Sequence, residues 1–212
     1  MGIHDFWLFL AAALLLNVTP GPDMALIIAR SAQHGTRAGI AAALGVGAGA
    51  FVHISAAAIG IAALIVASAY AFTVLKWIGA IYLVYFGLAL LWGSFQVVVP
   101  TDAGIQDARP ISLRQIFLQG ALTNILNPKV AVFFLAFLPQ FVDPEAPSKV
   151  AAFAVLGLIF NATGTFWNVG VAWFAGALAR SEGLRRARTW IERAIGAVFV
   201  GLGLKLALSE RP

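Results

Sequence analysis

Residues 17–23 read Asn-Val-Thr-Pro-Gly-Pro-Asp, and they interrupt an apolar segment that extends over residues 5–29. A second interruption, Asn127-Pro128, lies in a later apolar segment. Each proline removes a backbone donor and clashes with the preceding helical turn, so the carbonyls of that turn need other partners. A charged residue directly follows each interruption. The sequence therefore predicts two broken helices, with breaks at Pro20, Gly21, Pro22 and Pro128.

The composition around these breaks is that of a membrane protein. The 212 residues are 61% hydrophobic and 11% charged, whereas a soluble domain carries about 25% charged residues. Residues 38–75 and 150–179 contain no Asp, Glu, Lys or Arg, and about 20 such residues cross the hydrocarbon layer. A soluble enzyme, a DNA-binding domain and a disulfide scaffold are excluded. The net charge of +5 lies in loops, so we expect no nucleic-acid partner.

The apolar runs predict an all-α membrane protein with six transmembrane helices. The segment between the third and fourth helices, residues 97–112, contains prolines and charges and is the predicted linker. The second helix is long enough that we expect it to tilt or to end near Gly60. The approximate limits of the six helices are 5–29, 39–67, 71–94, 113–138, 149–179 and 191–208.

The distribution of basic residues predicts the orientation. Loops one, three and five together hold nine Lys and Arg, whereas the termini and loops two and four hold four. Because cytoplasmic loops are enriched in basic residues, we expect the odd loops in the cytoplasm and both termini outside.

The two halves of the chain resemble each other weakly. Pro22-Asp23-x-Ala25 aligns with Pro128-Lys129-x-Ala131, and residues 78–82 align with residues 195–199. Three helices are an odd number, so a second copy must enter the membrane from the opposite side, as in many secondary transporters. We therefore expect one domain over residues 1–212, with inverted three-helix repeats at about 1–96 and 113–212. The alternative is that the prolines merely kink two packed helices.

Two intramembrane charges are the leading functional candidates. A charge at the bilayer centre costs at least ~2.5–3.5 kcal/mol, so it is a candidate by default. We expect Asp23 to exchange a proton, and Lys129 to act as its counter-charge or to bind a substrate carboxylate. The structural alternative is a permanent ion pair between them. Further candidates for the cavity lining are Asn17, Asn124, Asn127, His53, Asn161 and Asn168. A lone histidine such as His53 is more often an interhelical hydrogen-bonding residue than a proton carrier.

Catalytic and metal-binding patterns are missing from the sequence. It contains no Ser-His-Asp set, no HExxH motif and no phosphate loop, and its three histidines lack carboxylate partners at ligand spacing. The chain also has no cysteine. We therefore expect a protein that is not an enzyme and that holds neither a cofactor nor a metal.

Several motifs together resemble the lysine-exporter (LysE) superfamily, and specifically its RhtB-type branch of homoserine, threonine and neutral amino-acid exporters. The resemblance covers essentially the whole chain. Its motifs are Asn17-Val-Thr-Pro-Gly-Pro-Asp23, Gly39-Ile-Ala-Ala-Ala-Leu-Gly45, Lys76-Trp-Ile-Gly-Ala-Ile-Tyr-Leu83, Phe117-Leu-Gln-Gly120, Asn124-Ile-Leu-Asn-Pro-Lys129 and Phe133-Phe-Leu-Ala-Phe-Leu-Pro-Gln-Phe141.

This resemblance implies a multi-pass exporter of amino acids or close derivatives in the bacterial inner membrane, driven by the proton-motive force. The implied partners are a small zwitterionic substrate, protons and the lipid bilayer, and formation of a homo-oligomer stays open. The alternatives are a non-catalytic membrane assembly subunit and an exporter of a small metabolite that is not an amino acid. A membrane enzyme acting on lipid would need a reactive cluster that the sequence lacks.

Overall fold

The computed structural model describes residues 2–61, 69–93 and 111–180 continuously. Towards the C-terminus it describes residues 190, 193–194, 196–201, 203–204 and 207–208, all of them helical. The predicted sixth helix, 191–208, is therefore described in part. Most of the predicted linker and of the basic fifth loop lies outside the described residues.

The first apolar segment forms two helices with a bend between them. Helix α1 spans Phe6–Val18 and helix α2 spans Pro22–His34, and their axes differ by 46°. The helix stops where Pro20 and Pro22 supply no N–H. Helix α2 continues to His34, beyond the predicted limit at residue 29, because charged side chains end an apolar run without ending a helix.

Helix α3, Thr36–Ser55, follows α2 after a single residue, Gly35. Gly35 has φ +83° and ψ 171°, a backbone conformation that is open to glycine and strained for other residues. The helix then widens into a π-helical segment over Ala56–Ile61. Helix α4 spans Ala69–Gly93, close to the predicted third helix.

The fourth apolar segment is also divided into two bent pieces. Helix α5 spans Leu113–Ile125, and its N-terminus is held by a reciprocal capping box between Ser112 and Gln115. Helix α6, Pro128–Val132, runs on as a π-helical segment and a 3₁₀ turn to Phe141. The angle between these pieces is again 46°. Helix α7 then spans Lys149–Arg180.

Up to four membrane spans can be assigned within the described residues by length and hydropathy. Thr36–Gly60 and Lys149–Ala175 each suffice alone, and each bent pair qualifies as one broken span. Large apolar side chains such as Trp7, Phe166 and Trp173 face outwards, as a lipid-facing surface requires.

Helices α3 and α5 pack with their backbones almost in contact. A Cβ at Gly45 or Gly49 would collide with the carbonyl oxygen of Phe117 or Ala121 on α5, and a Cβ at Gly120 would collide with that of Ala42. Small residues allow this approach. The Gly45-x-x-x-Gly49 spacing therefore serves the packing of two helices of the same chain.

The N-terminal residues pack against the loop between α6 and α7. Ile3 and Val142 form an isolated antiparallel bridge, Asp143 N–H donates to Gly2 O at 2.7 Å, and His4 N–H donates to Phe141 O at 3.1 Å. The N-terminus and loop four therefore lie on the same side of the molecule, which is the relative placement that the count of basic residues predicts.

Candidate functional site

The carboxylate of Asp23 lies at the start of α2 and reaches across to the second break. Its Oδ2 accepts hydrogen bonds from Asn124 Nδ2 at 2.9 Å and from Asn127 Nδ2 at 3.0 Å. Only 8% of Asp23 is exposed. Its other oxygen, Oδ1, is buried and receives no hydrogen bond from the described residues. Two amide donors therefore stabilise the buried carboxylate.

The ammonium of Lys129 reaches in the opposite direction, to the first break. Its Nζ donates to Thr19 O at 2.9 Å and to Leu16 O at 3.1 Å. In an unbroken helix the N–H of residue 20 would donate to Leu16 O, but Pro20 has none. The lysine therefore supplies a donor that the proline removed. Gly21 leaves room for it, because a Cβ there would lie 3.3 Å from Nζ.

Asp23 and Lys129 do not form a direct ion pair. Each is bound by neutral groups that flank the opposite break: side-chain amides for the carboxylate and main-chain carbonyls for the ammonium. The permanent ion pair considered from the sequence is therefore not formed. Each charge is therefore partly balanced by the dipoles of neutral groups.

At the second break, too, other donors replace the helical N–H that a proline lacks. Pro128 supplies no N–H to Asn124 O, which instead accepts from Asn127 N–H at 2.9 Å and from His53 Nε2 at 3.0 Å. A carbonyl only accepts, so this contact assigns the proton to Nε2. The His53 ring also stacks on Phe134, with 5.9 Å between ring centroids. His53 is thus an interhelical hydrogen-bonding residue.

The side chain of Asn127 contacts both charged residues, the carboxylate of Asp23 and the backbone N–H of Lys129. Its Oδ1 accepts from Lys129 N–H at 3.0 Å and so caps α6, while its Nδ2 donates to Asp23. Because the amide must serve both contacts, its orientation is fixed. A change in the protonation of Asp23 would therefore reach the start of α6 through one side chain.

A partly open cavity lies between the two breaks and α7. The cavity volume is about 30 Å³, and the cavity is partly open to bulk. Asn17 fixes one wall, because its Nδ2 donates to Thr163 Oγ1 at 3.2 Å and to Phe160 O at 3.3 Å on α7. The residues lining the cavity are Asn17, Thr19, Asp23, Met24, Val46, Ala50, Asn124, Lys129, Val130, Phe160, Asn161, Gly164, Thr165 and Asn168.

Most residues chosen from the sequence meet at this cavity. Six line it: Asn17, Asp23, Asn124, Lys129, Asn161 and Asn168. Asn127 is bonded to Asp23, and His53 lies behind Asn124. Sequence reasoning missed Thr19, which is 1% exposed and supplies a carbonyl to Lys129, and also Thr165 on α7. Thr165 could have been found, because it follows Asn161 by one helical turn and so lies on the same face of α7.

The cavity presents charged, polar and apolar groups together. Within the described ranges, no group of three or more His, Asp and Glu residues could hold a metal ion. The cavity offers one carboxylate, one ammonium, three hydroxyl or amide groups on α7, and an apolar wall from Val46, Ala50 and Phe160. Such a set can hold a small molecule that carries both charges and an apolar part.

Comparison with known proteins agrees with the motifs. The model of the LysE type translocator family matches residues 14–210. The chain is 34% identical, over 98% of its own length and 96% of the relative's, to an uncharacterized membrane protein of Pseudomonas aeruginosa. It is 28% identical to a leucine efflux protein of Enterobacter sp., with 97% and 96% covered. It is 29% identical to a homoserine/homoserine lactone efflux protein of Salmonella typhimurium, with 96% of each covered. No solved structure matches.

Proposed function

The chain belongs to the LysE type translocator family, and from this premise we propose that it exports amino acids or close derivatives by proton antiport with alternating access. The observation that carries the proposal is the reciprocal binding at the two breaks. Asp23 is held by amides of the second break and Lys129 by carbonyls of the first, beside one polar cavity.

The charges of the cavity support a zwitterionic substrate. An amino acid carries a carboxylate and an ammonium on adjacent atoms, and the cavity presents Lys129 for the first and Asp23 for the second. The neutral amides of Asn17, Asn161 and Asn168 add hydrogen-bonding capacity without further charge. Relatives named for leucine and homoserine efflux support the same substrate class.

Coupling to protons is assigned to Asp23. It is the one carboxylate among the described residues that line the cavity, and it is buried. A carboxylate that binds substrate on one side of the membrane and a proton on the other exchanges the two. Because Asn127 connects Asp23 to α6, loss of the carboxylate charge would weaken the contact between the two halves.

Alternating access is assigned to two inverted repeats. The equal bends of the α1–α2 and α5–α6 pairs and their exchanged contacts support a pseudo-two-fold relation. Transporters of this architecture bind substrate where the broken helices meet and move one repeat against the other. In this proposal the chain lies in the bacterial inner membrane with both termini outside.

Counterflow in proteoliposomes tests the proposal. Purified protein is reconstituted, and uptake of labelled leucine, homoserine, threonine and lysine is followed with each unlabelled amino acid inside. We expect exchange of one or two of them, and uphill uptake when the lumen is made acidic, because protons then leave as substrate enters. A protonophore should abolish the uphill part. Folded protein that exchanges none of the panel would contradict amino-acid export and favour another small metabolite or an assembly subunit.

A further inference from the structure

Two buried acceptor oxygens at the cavity lack a donor. Asp23 Oδ1 and Asn124 Oδ1 receive no hydrogen bond from the described part of the chain. Asp23 is 8% exposed and Asn124 is 3% exposed, and both line the cavity. A buried acceptor without a donor is destabilising, and a charged one more so. These oxygens therefore favour a ligand that donates hydrogen bonds.

The two side chains that carry the unpaired oxygens are held in place by hydrogen bonds at their other polar atoms. Asn124 Nδ2 donates to Asp23 Oδ2, which joins the two side chains, and Asn124 O accepts from His53 Nε2. Asn127 Nδ2 holds Asp23 Oδ2 as well. The carboxylate and the amide are thus oriented before a ligand arrives, which lowers the entropy cost of binding.

We infer that Asp23 Oδ1 and Asn124 Oδ1 form the binding site for the ammonium group of the exported substrate, and that the coupling proton binds to the same carboxylate oxygen. This inference rests on the proposed export function. A primary ammonium offers three N–H donors, so it can bond both oxygens at once. A proton on Oδ1 removes the negative charge that attracts the ammonium. Substrate and proton therefore exclude each other, and antiport follows from competition for one atom.

The other groups around the cavity are engaged elsewhere or are neutral, so the competition is assigned to Asp23. Among the described residues, the titratable side chains near it are Lys129, which is bound to the carbonyls of Leu16 and Thr19, and His53, which lies behind Asn124. Helices α1 and α7 contribute only neutral residues to the cavity, Asn17, Phe160, Asn161, Gly164, Thr165 and Asn168. Lys129 stays available for the substrate carboxylate.

Binding of leucine, homoserine and three leucine analogues to purified wild-type protein in detergent tests the ammonium site directly. Leucinol keeps the ammonium and lacks the carboxylate, whereas 2-hydroxyisocaproate and N-acetyl-leucine keep the carboxylate and lack the ammonium. We expect leucinol to bind, and the two analogues without an ammonium to bind at least about tenfold more weakly than leucine. Equal binding of 2-hydroxyisocaproate and leucine, or no binding of leucinol, would overturn the inference.

Proton release measures the competition itself. In weakly buffered detergent with an indicator dye, binding of leucine or leucinol to protein at acidic pH should release up to one proton per site, and the apparent Kd should rise towards tenfold per pH unit on the acid side. Asp23→Asn should release none. Asp5→Asn is the matched control, since Asp5 is exposed, lies away from the cavity and has φ 49°, a conformation that Asn tolerates.

Three outcomes distinguish proton–ammonium competition at Asp23 from its alternatives. Binding of the amines without proton release, or equal release by Asp23→Asn, would refute competition at this carboxylate. Equal proton release by sodium chloride and leucinol, with none by choline chloride, would show a metal-cation site instead. Ammonium-dependent binding with no counterflow would overturn the export proposal and leave the ammonium site standing. The analogue series uses only wild-type protein, so it holds even where Asp23→Asn does not fold.

Discussion

Lys129 Nζ lies 3.1 Å from Leu16 O, the carbonyl that Pro20 leaves without its helical donor. A side chain from one broken helix thus completes the hydrogen bonding of the other. At the second break Pro128 has no N–H for Asn124 O, and His53 Nε2 from α3 donates to it beside Asn127 N–H. At both breaks a basic side chain replaces a missing N–H. The breaks are stabilised by contacts that a bound ligand or a change of charge could release.

Replacing Lys129 with Met should abolish transport. The substitution removes the donor to Leu16 O and Thr19 O and leaves Asp23 without a nearby positive charge. We expect a lower thermal unfolding midpoint in detergent, corresponding to about 1–3 kcal/mol, because Thr19 O loses the ammonium donor, whereas Leu16 O still accepts from Thr19 N–H. Counterflow measures the loss of transport, and thermal unfolding measures the loss of stability. Lys149→Met, at the start of α7, is the control and should transport normally. Wild-type counterflow by Lys129→Met would show that the ammonium is dispensable.

Two substitutions at His53 should separate its hydrogen bond from its ring. His53→Phe keeps the stacking on Phe134 but removes the donor to Asn124 O, whereas His53→Gln keeps an N–H donor of similar reach. We expect His53→Phe to lose about 1 kcal/mol of stability and much of the transport rate, and His53→Gln to retain most of both. If the histidine carried protons instead, both variants would lose coupling to the pH gradient equally.

A methyl group at Gly45 should disrupt the contact between α3 and α5. The Cβ of Gly45→Ala would meet the backbone of Phe117, which cannot move without shifting the helix, so we expect a loss of at least about 1–3 kcal/mol. Gly170→Ala on α7 is the matched control, because nothing lies within 4 Å of its Cβ. Alanine favours helix over glycine, so this control should be neutral or slightly stabilising. Similar thermal midpoints for the two variants would contradict the backbone contact.

Single cysteines can test the proposed orientation, since the chain contains none. Ala32 lies near the end of α2, and Glu145 lies in the loop between α6 and α7, and both are exposed. We expect an impermeant maleimide to label Glu145→Cys on intact cells, and to label Ala32→Cys only after the cells are permeabilised. The opposite pattern would place the termini in the cytoplasm and contradict the count of basic residues.

Local covalent chemistry explains what could be predicted from the sequence. A proline lacks its N–H in any environment, so the ends of α1 and α5 could be predicted without knowledge of their neighbours. A charge in an apolar segment is costly wherever it lies, so Asp23 and Lys129 could be chosen as candidates. Asn161 and Asn168 are two helical turns apart, which places them on one face of α7, and both line the cavity.

The partners of these groups could not be predicted, because they depend on how helices cross. Lys129 binds two main-chain carbonyls, and any residue type could have supplied them. Thr19 was missed for the same reason, since its oxygen at the site belongs to the backbone. The π-helical segments at Ala56–Ile61 and Phe133–Phe137 also carry no residue signature. They depend on the packing around them.

The glycine contact between α3 and α5 limits how the protein can move. These helices belong to different proposed repeats, yet their backbones are too close to slide without collision. They should therefore form the axis about which one repeat moves against the other, while α1, α2, α6 and α7 rearrange around the cavity. Leu44 on α3 and Leu118 on α5 are 48% and 52% exposed. The distance between spin labels at these two positions should therefore stay constant through the transport cycle.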